Sequence, residues 1–215
     1  MKKQSGFTLI ELAIVLVIIG LLLGGVLKGQ ELINSAKAKN IASELKNAQI
    51  FIYGYQDKFR AIPGDDQNVT RNINGATRAT TPVATLGNAQ INGLWNSVTA
   101  TDESFLFWQH VRLAGLATGP TNVADANYLP RNADGGRVGV QGTTGFVEIN
   151  GLNTAGQYVV CSENIVGRLV KQIDVNLDDG ESSTGALRAI VAGAPAPVLS
   201  ANIVDGNPYT ICFAF

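Results

Sequence analysis

Residues 2–27 read KKQSGFTLIELAIVLVIIGLLLGGVL, an apolar run with one acid, Glu11, near its start. From Phe7 to Leu27 there are 21 residues; at about 1.5 Å each, a helix of that length spans roughly 31 Å, the hydrocarbon thickness of a bilayer. The segment is therefore expected to cross a membrane. An acid at the bilayer centre is disfavoured by roughly 2.5–3.5 kcal/mol on insertion scales, so a carboxylate kept here needs a partner or a route to water. Lys2 and Lys3 precede the run, and basic residues favour the cytoplasmic side, although Lys28, Lys37 and Lys39 stand beyond it. A secretory signal peptide has a shorter apolar region that ends at a small-residue cleavage site. This run is longer and leads into LKGQELINSAKAKN, which reads as more helix.

The helix is expected to continue well past the span. Ile41, Leu45, Ala48, Ile52, Tyr55 and Phe59 recur at intervals of 4, 3, 4, 3 and 4 residues, an apolar seam that lets a helix lie along the body of the same chain. Ile62-Pro63-Gly64 should stop it, since proline restrains the residue before it and glycine permits a turn. The expected fold class is α+β. A leader covers residues 1–6, a long amino-terminal helix covers 7–60 with 7–27 transmembrane, and a head with a small antiparallel sheet covers 61–215. Gly20, Gly24, Gly25 and Gly29 form small-xxx-small series that permit close helix approach. Each also lowers helix propensity by up to about 1 kcal/mol, which marks Gly24 to Gly29 as the weak spot of the rod.

The stretch Gly6-Phe7-Thr8-Leu9-Ile10-Glu11-Leu12, with its basic leader and long apolar tail, resembles the processing site of type IV prepilins and of the related pseudopilins of type II secretion. The resemblance implies a cut by prepilin peptidase between Gly6 and Phe7 and N-methylation of Phe7. Glu11 would then pair with the new cationic amine in a low-dielectric setting. An amine on a neighbouring subunit would make that pair an assembly charge, favouring entry into a homo-oligomeric helical filament in the correct register. The implied partners are the peptidase and the pilus or secretion machinery of the inner membrane. The implied location is a single-pass precursor with a periplasmic head, then an extracellular filament. A pseudopilin or minor pilin shares the same leader and stays open at this point, as does a membrane-anchored periplasmic enzyme or binding protein.

The full chain of 215 residues has 16 basic and 17 acidic side chains and a formal net charge of −1. No basic block points to nucleic-acid binding, although a filament can align small patches into a stripe. The middle, Asp65 to Ala100, is rich in Asn, Thr and Gly and reads as a connecting loop; its Asn68-Val69-Thr70 sequon is a common chance match. TDESFLFWQHVRLAGLATGP reads as a helix capped by Thr101 and closed by Gly119-Pro120. Strands are expected at FVEIN (146–150), QYVVC (157–161), LRAIVAG (187–193) and YTICFAF (209–215). Between the second and third, Val166, Leu169, Val170, Ile173 and Leu177 make a helical face, with Ser162 as its cap and Gly180 as its end.

His110 is the only histidine, so a triad or multi-histidine metal site lacks its partners and a packing or hydrogen-bonding role is expected. Trp108 beside it is expected in the core. With no nucleophile–base spacing or phosphate loop, no catalytic residue and no cofactor are assigned. Cys161 and Cys212 allow one intramolecular bridge, worth about 4 kcal/mol for a loop of about 50 residues; two buried thiols are the alternative. In the resembling pilins such a disulfide ties the carboxyl-terminal region to the sheet, whereas major pseudopilins typically lack one. DVNLDDG offers Asp174, Asn176, Asp178 and Asp179 as hard oxygens suited to calcium. It does not fit an EF-hand loop, because glycine is seventh and Gly185 stands where a glutamate belongs. Asp174 is expected to project from the helix, and Asp-Asp-Gly also reads as an ordinary helix exit.

Overall fold

The computed structural model describes residues 8–144, 146, 156–192, 194 and 196–215. The chain forms two compact units, Met1–Lys37 and Ala38–Phe215. The first helix, α1, runs Leu9–Phe59, close to the expected span, and the boundary between the units falls inside it.

In the first unit the large apolar side chains from Leu9 to Ile33 are exposed. The helix holds a window long and apolar enough to cross a membrane, with none of that window buried. It stays helical through Gly20, Gly24, Gly25 and Gly29, and a methyl group at any of these four would meet nothing within 4 Å. The span is therefore apolar on all sides, as a lipid-embedded helix is.

In the second unit the rest of α1 carries the seam read from the sequence. Ile41, Leu45, Ile52 and Tyr55 are 0% exposed and Ala48 1%. Most of the seam joins one core cluster with Leu106, Val140, Val160, Leu169, Leu187 and Ile211. Helix α1 ends where Arg60 takes a left-handed φ of 55°, and Gly64 follows with φ 93° against the Glu103 carbonyl, where a Cβ would collide. The stop at Ile62-Pro63-Gly64 thus depends on a close backbone approach as well as on proline.

After α1 come a short helix α2 (Val69–Asn72), a 3-10 turn (Val83–Thr85) and α3 (Glu103–Leu113). Strands β1 (Val138–Gly142) and β2 (Tyr158–Val166) precede α4 (Gly167–Leu177), and β3 (Leu187–Ile190) and β4 (Pro208–Ala214) close the chain around a further 3-10 turn (Ser200–Asn202). The sheet order is β1-β2-β4-β3, with every neighbouring pair antiparallel.

Several expected boundaries move. Helix α3 starts at Glu103 with Asp102, not Thr101, at its N-cap, and it ends near Gly115, which has φ 77°, well before Gly119-Pro120. Ser162 is a strand residue paired with Ile211 and Val138 and not a helix cap, because β2 runs on through a bulge at Asn164, φ 61°, to Val166. Strand β1 has no counterpart in the sequence reading. Its Gly139 is packed so closely on the Trp95 carbonyl that a side chain would overlap it, and Gly142 donates to the Ile91 carbonyl at 2.7 Å. The FVEIN segment lies, except for Phe146, outside the described residues.

Candidate functional site

Helix α1 begins with a reciprocal cap. The Glu11 Oε2 accepts from the Thr8 backbone N–H at 2.8 Å and from its hydroxyl at 2.7 Å. In return, the Glu11 N–H donates to Thr8 Oγ1 at 3.3 Å. Thr8-Leu9-Ile10-Glu11 is thus a capping box, which satisfies two of the orphan donors at a helix start, and the negative side chain lies at the positive end of the helix dipole. The acid that looked anomalous in an apolar run has a partner in its own chain, a role the sequence reading passed over although the T-x-x-E spacing was in plain view. Gly6 and Phe7 lie outside the described residues.

The head holds the second group of candidates. Cys161 and Cys212 are bridged. They are direct register partners of β2 and β4, with Cα atoms 4.1 Å apart, so the bond joins adjacent central strands of the sheet. His110 is buried and takes two hydrogen bonds. Its Nδ1 accepts from the Gly64 N–H at 2.9 Å, and Nε2 lies 2.8 Å from the Thr77 carbonyl, an arrangement that specifies the neutral ring protonated at Nε2. Burial lowers its pKa, against opposing effects from Thr77 and Asp66. Trp108 is a core residue.

Asp174, Asp178 and Asp179 come together with one oxygen of each within 4.8 Å of the others. Positions 174 and 178 are one helical turn apart and share a face. Asn176 falls between them and is exposed, so it does not join that face. Asp174 does not project as expected: it is 0% exposed, and neither carboxylate oxygen has a donor in good hydrogen-bond geometry. Burial first, then the charge of Asp179, push its pKa up to about 7, against a favourable Gly180 amide. A low-affinity divalent cation such as calcium matches this donor set of hard oxygens.

The sequence reading missed a buried carboxyl pair. Asp65 accepts from the amides of Gly87 and Ala89, and Glu103 accepts from the Asn92 amide at 2.7 Å and its side chain at 3.0 Å. Burial raises the pKa of both, Glu103 to about 7, and the nearby Asp65 adds to the rise at Glu103, which is therefore the member of the pair that holds a proton more readily. An acid in the first turn of a helix usually signals dipole stabilisation at the surface; only the tertiary fold shows that Glu103 is 0% exposed.

Residues 1–27 match the family model described as the prokaryotic N-terminal methylation motif. No curated protein and no solved structure gives a significant match to the chain. The motif is of the prepilin type, consistent with the pilin and pseudopilin family, and points to a non-catalytic structural protein.

Proposed function

We propose that the chain is the structural subunit of a type IV pilus-like filament. Prepilin peptidase cuts between Gly6 and Phe7, Phe7 is methylated, and the mature chain leaves the inner membrane to polymerise through the Phe7–Leu27 segment. The methylation-motif match at residues 1–27 carries the proposal, supported by an apolar helix that its own unit leaves uncovered. Exposed side chains such as Leu9, Leu16 and Leu21, at 88%, 69% and 72%, would be covered by lipid in the precursor and by neighbouring helices in the filament. Glu11, already held by Thr8, would be oriented to receive the amine of an incoming Phe7, so the cap and the assembly charge are two uses of one carboxylate. Gly24 to Gly29 would be the stretch that yields or lets helices approach during assembly.

The Cys161–Cys212 bond favours a pilus subunit over a major pseudopilin. Its abundance in sheared surface filaments would separate a principal subunit from a minor one. Mass spectrometry of assembled material should give a chain that begins at N-methylated Phe7. An intact Met1 in the filament would overturn the reading.

A further inference from the structure

We propose that Asp174, Asp178 and Asp179 form a calcium site that ties the end of α4 to the turn leading into β3. Asp174 provides the key observation. It is fully enclosed, neither oxygen has a donor in good hydrogen-bond geometry, and the Gly180 amide offsets only part of the effect of burial; a buried carboxylate so poorly answered is strongly disfavoured in its ionised form unless a cation joins it. The neighbouring acids make the imbalance worse. Three carboxylates gather at the carboxyl end of an eleven-residue helix, where the helix dipole is itself negative and favours a cation.

The geometry suits one ion. Oxygens on opposite sides of a calcium lie at about 2.3–2.6 Å from it and hence roughly 4.6–5.2 Å from each other. The three ligand oxygens here fall within 4.8 Å. The two outer carboxylates are already oriented by the turn: Asp178 Oδ2 accepts from the Ala186 and Leu187 amides at 2.5 and 2.9 Å. Asp179 accepts from the Glu181 amide at 2.9 Å and from the Thr184 hydroxyl at 3.1 Å. A carboxylate offers about four lone-pair positions, so these bonds hold each group and still leave it able to ligate. Hard oxygens without a histidine or cysteine favour calcium or magnesium over zinc. Three carboxylates fixed by the fold, with solvent free to complete the shell, suit the larger and less regular coordination of calcium.

The inference rests on the head and is independent of the filament reading. The test is calorimetric titration of the full chain in detergent micelles with calcium chloride and, separately, magnesium chloride. Saturable binding of about one calcium per chain, with Kd on the order of 10⁻⁴–10⁻³ M, is expected, with magnesium weaker. Asp174→Asn and Asp179→Asn should each weaken calcium binding about tenfold or more without changing the circular dichroism spectrum. Asp179 is exposed, so Asp179→Asn decides alone should Asp174→Asn fail to fold. Absence of saturable heat, wild-type affinity in Asp179→Asn, or magnesium binding as tightly as calcium would each overturn the proposal.

Discussion

The two parts of α1 have similar appetites for apolar company and satisfy them differently. In the first unit Leu16 is 69% and Leu22 63% exposed, whereas in the second Ile41, Leu45 and Ile52 are each 0% exposed. One stretch is apolar on every side; the other keeps most of its apolar residues, though not Ile50 or Tyr53, in a stripe that the sheet and the other helices of its own unit cover. Periodicity rather than hydrophobicity distinguishes a helix that finishes its folding within the chain from one that leaves it to lipid or neighbours. The largest way to break this contrast is a pair of truncations. Leu45→Ala should destabilise the head by about 2–5 kcal/mol, read as a lower denaturation midpoint, while Leu16→Ala should leave that midpoint unmoved. Equal losses from the two would show that the exposed half contributes to the head's core.

The disulfide sharpens the same division. Cys161 and Cys212 lie wholly in the second unit, so Cys161→Ser with Cys212→Ser should cost the head about 2–4 kcal/mol. Partition of the chain into membranes should not change. Loss of membrane partition in the double variant would mean that the two parts of α1 are not energetically separate.

Much of this architecture is legible in the amino-acid sequence. The seam, the stop after it and three of the four strands among the described residues follow from spacing, because each depends on contacts that repeat along the chain. The failures are tertiary. Strand β1 hides behind Gly139 and Gly142, residues that weaken a strand signal and are used here so that the backbone near Ile91 and Trp95 can come close. Ser162 and Thr101 resemble caps because a short hydroxyl residue before an apolar run is the usual cap signature. For Ser162, pairing with β4 prevails over that local preference. In the candidate site, the apolar run singles out Glu11 but does not bring out its reciprocal cap with Thr8. The burial of Asp174 is invisible at that level, because helix periodicity gives the face of a residue without saying what covers it.

The charge of Glu11 and its capping role can be separated at the start of the first unit. Glutamine serves in a capping box as glutamate does, so Glu11→Gln keeps the reciprocal bond with Thr8 and removes the charge; Glu11→Ala removes both. Loss of the cap alone should weaken the helix start by about 1 kcal/mol, visible as faster amide exchange over the first turn. If assembly depends on the charge, both variants should be processed and both should give few filaments. Normal filament yield from Glu11→Gln would show that the cap suffices and would remove the charge pair from the proposed mechanism.

The smallest effect concerns pH and is confined to the head. Glu103 has its pKa raised from 4.5 to about 7, and Asp65 is raised as well, both chiefly by burial. A raised carboxyl stabilises the fold fully below its unfolded value and loses that contribution as pH rises through the folded one. Glu103 therefore favours the head at pH 4.5 and ceases to do so by about pH 7. His110 has the opposite sign: its pKa is lowered from 6.5 by burial, so its contribution is present above that value and lost as pH falls. Asp174, also raised to about 7, stays in place in both proteins and cancels in the difference. Replacing Glu103 by Gln removes the declining component and leaves that of His110. The melting temperature of Glu103→Gln, compared with the parent between pH 4.5 and 7.5, should fall less steeply or turn upward with pH. Parallel curves would mean that Glu103 titrates at its ordinary value, while the exposed half of α1, which carries no group of this pair, should leave the difference unchanged when its own residues are varied.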